Sequence, residues 1–149
     1  MTAKPDDVLL SRYRTAVAAC AVMNLRQASR LVTAFFDEEL RPAGLRSTQL
    51  NILMAIEVAA PRSVSAIAEI VGTDRTTMTR NLQLLRKRGM IDARRIALTP
   101  RGRATAAEAL PLWERAQATV VDGLGGNRWT ALLRELAATK AAVRARPRR

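Results

Sequence analysis

The chain has 149 residues, with 25 Lys and Arg against 13 Asp and Glu and no His, for a formal charge of +12. That length fits one domain or one compact subunit of an oligomer, and 48% hydrophobic residues can bury a core. With no His and Cys20 as the one thiol, zinc fingers, Ser-His-Asp and Cys-His catalysis and an intrachain disulfide are excluded, so no metal, cofactor or catalytic residue is expected.

Aromatic residues make up 3% of the chain: Tyr13, Phe35, Phe36, Trp113 and Trp129. A sandwich or barrel draws on more aromatic and β-branched material, so composition points to a mainly α fold. The longest apolar run, Ala16 to Met23, is far below the ~18 residues of a membrane span. The opening stretch is acidic and broken, unlike a signal peptide, and a cytoplasmic location is expected. A sequence pI near 11.6 in a folded chain points to a polyanionic partner. Of the 25 basic residues 22 are Arg, whose planar fork suits phosphate and guanine.

Six helices are expected. Residues 1–12 read as a loose leader. One long helix runs from Tyr13 to about Leu40, with Val17, Cys20, Ala21, Ala28, Leu31, Val32, Phe35 and Phe36 on a helical stripe that Asn24 interrupts. Arg41-Pro42-Ala43-Gly44 ends it. Ser47 is read as the N-cap of a second helix to about Ala59, with Ile52, Leu53 and Ile56 inward. Ser63 or Ser65 opens a short third helix that Gly72 closes. Asp74 caps a fourth, which ends at Arg88-Gly89. The segments 90–93 and 96–99 read as two tiny strands around Arg94-Arg95, a small β hairpin. Thr99-Pro100 opens a fifth helix, which runs to the Gly123–Gly126 loop, and a sixth spans about Asn127 to Ala145. The basic end, 146–149, reads as frayed.

The segment from Ser47 to Thr99 is helix, short helix, tight turn, helix, hairpin, which is the order of a winged helix-turn-helix. In its second helix Met78, Leu82 and Leu85 are spaced to face a core. The opposite face then carries Thr76, Thr79, Arg80, Gln83 and Lys87. Hydroxyls reach phosphates or bases, Arg pairs with guanine and Gln with adenine, and the helix N-terminus favours a phosphate. Between Gly72 and Arg103 there are nine basic residues and only Asp74 and Asp92 as acids, so more than half of the net charge sits here. Double-stranded DNA is the expected partner.

The stretches GLRSTQLNIL, SVSAIAEIVGTDRTTMTRNLQLLRKRGMID and IALTPRGR, with ALPLWERAQ in the next helix, resemble the MarR family of winged-helix transcriptional regulators. The resemblance runs from about Val17 to Gly123. It implies a homodimer with helical dimerisation regions at 13–45 and 100–145 and a DNA-binding lobe at 46–99. It also implies DNA contacts at Arg75, Thr76, Thr77, Thr79, Arg80 and Gln83, a palindromic operator, and a repressor released by a small aromatic effector or, in some members, by oxidation of a Cys. The wing departs from the family pattern. Ile91-Asp92-Ala93 passes through Arg94-Arg95 straight into Ile96-Ala97-Leu98, so Arg94 and Arg95 are expected at flanking phosphates rather than in the minor groove.

Two readings stand for each remaining residue. Cys20 is a small buried apolar residue or a redox sensor, and no cation lies three or four residues away to activate it. Asn24 fixes helix register across a dimer or lines a ligand pocket. Trp113 packs in the core or dimer, or clamps a ligand. The leading function is a sequence-specific dimeric regulator; the alternative is a non-specific architectural protein of the nucleoid type. The carboxylates Glu38, Glu39, Glu108 and Glu114 have no convergent partner that would make an enzyme.

Overall fold

The computed structural model describes residues 5–146, and seven α-helices are found among them. The helices α1 (Pro5–Ala19) and α2 (Ala21–Glu39) replace the single long helix expected from Tyr13 to Leu40, and α1 absorbs much of the stretch read as a loose leader. The break falls at Cys20, whose backbone is extended at φ −68° and ψ 111°. Asn24 holds it open: its amide donates to Ala18 O at 3.1 Å and Cys20 O at 2.9 Å, taking carbonyls at the end of the first helix. No Gly or Pro marks this point, and the apolar pattern continues through it.

A single 3-10 turn, Arg41–Ala43, leads into α3 (Ser47–Ala59), followed by α4 (Val64–Val71) and α5 (Arg75–Lys87). Ser47 is not the cap of α3 but its first residue; the cap position is Arg46. Ser47 is held instead from outside the helix, where Asp37 of α2 accepts both its N–H and its hydroxyl at 2.7 Å. The other caps match the sequence. The Ser63 hydroxyl accepts the Ala66 N–H, and Asp74 accepts the Thr77 N–H at 2.8 Å. Gly72 closes α4 in the left-handed region at φ 76°, a conformation that costs a Cβ-bearing residue.

The expected hairpin is absent among the described residues. One isolated antiparallel bridge, Ile91 to Leu98, stands in its place, flanked by the Asp92 N–H to Ala97 O bond at 2.9 Å and the Thr99 N–H to Met90 O bond at 3.1 Å. The arms are too short to extend the ladder beyond that. Thr99 then caps α6 (Pro100–Leu124), and α7 (Gly126–Arg144) follows. Pro111 lies inside α6.

The core sits in the lobe formed by α3 to α5, the bridge and the start of α6. Leu50, Ile52, Leu53, Ile67, Met78, Leu82 and Leu85 are almost completely buried there. Helices α1, α2 and α7 are different. Val17, Val22, Leu31, Val32, Leu133 and Val143 are all exposed, and no residue of α7 is buried within the chain. No single helix among the described residues is long and apolar enough to cross a membrane.

Candidate nucleic-acid interface

Met78, Leu82 and Leu85 lock one side of α5 into the core. That fixes the other side outward. Arg75, Thr76, Arg80, Gln83 and Lys87 are exposed, and Thr79 is half-buried with its hydroxyl donating to Arg75 O at 2.8 Å. Thr77 is exposed too, but its hydroxyl proton goes to Asp74 at 2.6 Å, so it completes the cap. The Thr77 hydroxyl and N–H, in that order, hold the Asp74 carboxyl below its ordinary range.

The shortened wing is ordered by one residue. Asp92 accepts the N–H groups of Arg94 at 2.8 Å and Arg95 at 3.0 Å, which lowers its pKa, and its own carbonyl accepts Arg86 Nε at 3.1 Å. The turn is thereby tied to α5, and the Arg94 and Arg95 side chains stand exposed beside it. An Asp followed two and three residues later by turn N–H donors is a common turn device, one not singled out from the sequence.

Four of the nine basic residues between Gly72 and Arg103 are engaged inside the chain, and the weakest of these contacts is the exposed Arg95–Asp92 ion pair at 3.8 Å. Arg86 holds the wing. Arg88 donates to Gln49 Oε1 at 3.2 Å and Gly44 O at 2.8 Å, joining the end of α5 to the corner before α3. Arg103 pairs with Glu57 at 2.8 Å, which raises its pKa.

A second feature lies between α2, α3, α6 and α7, a cavity of about 450 Å³. Trp113 lines it, together with Phe36 and Trp129; the Trp113 and Phe36 rings are 6.4 Å apart. Asn24 is not among its lining residues and spends its amide on the α1–α2 break. Asn51, Gln117 and Trp129 were not singled out from sequence, because only the packing of four helices brings them together. Cys20 is half-buried at that break. No cluster of metal-ligating side chains occurs among the described residues.

The MarR family model matches residues 43–99, the segment that holds α3, α4, α5 and the wing. The Mycobacterium tuberculosis transcriptional regulator MosR is 36% identical, covering 88% of this chain and 100% of its own, with a TM-score of 0.81. MosR in complex with DNA is 37% identical over 85% of this chain and 97% of its own, with a TM-score of 0.74. The transcriptional repressor CouR bound to p-coumaroyl-CoA is 27% identical over 85% of this chain and 95% of its own, with a TM-score of 0.76. A search of curated protein sequences found no match. The lobe that presents α5, and the likeness to MosR along nearly the whole chain, make this protein a member of the MarR family of DNA-binding transcriptional regulators.

Proposed function

We propose that the chain is a cytoplasmic, homodimeric repressor that binds a palindromic operator and is released by a small aromatic effector. The observation that carries the reading is the outward row on α5, Arg75, Thr76, Arg80, Gln83 and Lys87, on a helix whose other side is fixed in the core. A rigid helix with short hydroxyls, a guanidinium and an amide facing out is suited to base edges in a major groove. Thr77 and Thr79 serve near phosphates, and Arg94 and Arg95 reach the flanking backbone from the wing. The exposed stripes on α1, α2 and α7 support a dimer built from these helices with α6, since a two-fold partner offers the same stripes as cover. Such a dimer sets two recognition helices ~34 Å apart, one turn of DNA. The structures of MosR with DNA and of CouR with p-coumaroyl-CoA support a regulator that reads DNA and answers to a ligand. The cavity beside Trp113 is the place for that ligand.

The net charge and the shortened wing favour a second reading, an architectural protein held to DNA by charge alone. Selection of bound sequences from a random duplex pool separates the two. A regulator recovers a palindrome and binds it ~10³-fold or more tightly than random DNA. An unenriched pool with equal affinity for all sequences establishes the architectural reading. Binding that does not weaken with salt, where each neutralised phosphate contributes a log–log slope of about 0.9, excludes both.

A further inference from the structure

The cavity between α2, α3, α6 and α7 carries aromatic walls and polar groups but, among the described residues, no charged side chain lines it. Trp113 and Trp129 are the two Trp residues of the chain, and both face it with Phe36. Flat π surfaces of this kind suit an aromatic ring. The polar groups are Thr33, Ser47, Asn51 and Gln117, all neutral.

The electrostatics of one wall are already decided. The first turn of α3 would draw an anion to its free N–H groups, but a carboxylate of the protein is there. Asp37 accepts the Ser47 N–H and the Ser47 hydroxyl, both at 2.7 Å. The Ser47 hydroxyl proton is therefore spent, and its oxygen offers lone pairs to whatever enters the cavity. A ligand donor fits against that oxygen. A ligand carboxylate would meet the negative charge of Asp37 behind it, with no lining cation to offset its loss of water.

Resting on the effector reading above, we propose that this cavity takes an uncharged aromatic molecule bearing amide or hydroxyl donors and discriminates against aromatic carboxylates. Asn51 and Gln117 complement such a molecule, because each amide offers both a donor and an acceptor to a neutral group.

The test compares salicylamide with salicylate, which share a ring and an ortho hydroxyl and differ in charge near neutral pH. Each is titrated into the full-length protein by calorimetry, with release of the selected duplex followed in parallel by fluorescence anisotropy. Salicylamide is expected to bind about tenfold or more tightly than salicylate. Gln117→Arg, which introduces a lining cation, is expected to narrow or reverse that preference. Thr33→Lys, at an exposed position of the same lining, does so without altering a packed residue. Salicylate binding as tightly as the amide in the native chain overturns the proposal, as does an amide that shows no saturable binding or a preference unmoved in both variants. Amide binding with the expected preference but no DNA release leaves the ligand class standing and removes the effector role. Tighter salicylate binding with DNA release does the reverse.

Discussion

Gly102 lies flush against the backbone carbonyl of Met90, so that a Cβ added to Gly102 would overlap that oxygen. Thr99 stitches the same corner: its N–H donates to Met90 O at 3.1 Å, its hydroxyl donates to Gly89 O at 2.7 Å and accepts the Gly102 N–H at 3.0 Å. The order Leu98-Thr99-Pro100-Arg101-Gly102 is thus a packing requirement for bringing α6 onto the end of α5. Gly102→Ala is expected to destabilise the fold by ~1–3 kcal/mol through overpacking against backbone. Gly123→Ala, where an added Cβ meets nothing within 4 Å, should be neutral or slightly stabilising. Urea unfolding of the two variants checks the contrast, and equal stability would contradict the packing argument.

Arg80→Ala should lose ~1–3 kcal/mol on the preferred duplex and relax preference at one base pair of each half-site. Arg146, exposed beyond α7, is the control; its replacement by Ala should weaken all sequences alike or have no effect. Anisotropy titrations over a set of singly altered duplexes measure both. Sequence-blind losses of equal size from the two variants would favour the architectural reading.

Acid should weaken the lobe through two carboxylates. Asp74 is held below its ordinary value of 3.8 by the Thr77 hydroxyl and N–H, and Asp92 by the N–H groups of Arg94 and Arg95. A carboxylate with a depressed folded-state pKa contributes stability that is complete above 3.8 and drains away as pH falls through the lower folded value. The native chain should therefore exceed the Asp74→Ala, Asp92→Ala double variant at neutral pH and converge on it below that range. Denaturant midpoints collected down the pH scale test this, and a constant gap would show that ionisation contributes nothing.

Cutting the chain after Gly125 removes α7 and with it one wall of the cavity, uncovering Trp113. In the proposed dimer it also deletes the Leu133 and Val143 face, whose side chains are each worth ~1.5–3 kcal/mol when covered. Loss of both dimerisation and tight operator binding is the expected outcome. Light scattering of a full-length monomer at micromolar concentration, or native operator affinity in the shortened chain, would refute the dimer.

Cys20→Ser should bind DNA almost normally, and binding should survive mild peroxide. The thiol is half-buried at a helix break, and no lysine or arginine lies within four residues of it in the chain. Peroxide that releases DNA from the native protein but not from the variant would establish a sensor.

The lobe was legible because its signals are local. Ser63, Asp74 and Thr99 cap helices with their own side chains, Gly72 takes a left-handed turn, and Met78, Leu82 and Leu85 repeat at helical spacing. The N-terminal break was not, because what opens it is a side chain four residues on, Asn24, while the residues at the break itself, Ala16 to Met23, are apolar throughout. Ser47 has the chemistry of a cap, but Asp37, ten residues earlier, claims its hydroxyl and N–H. The hairpin failed on length: residues with strand character flank Arg94-Arg95, but too few remain for more than one bridge. The cavity combines four helices, and sequence order alone does not say which of their faces meet.

Pro111 follows the fully buried Ala109 by two positions and precedes Leu112 and Trp113, which still pack against the core. Its nitrogen has no proton, so α6 lacks a rung of its ladder at that point, and its ring crowds the carbonyl one turn earlier. Continuity of α6 through this point therefore rests on side chains either side of the proline, Ala109 before it and Leu112 and Trp113 after it, which all pack on the core.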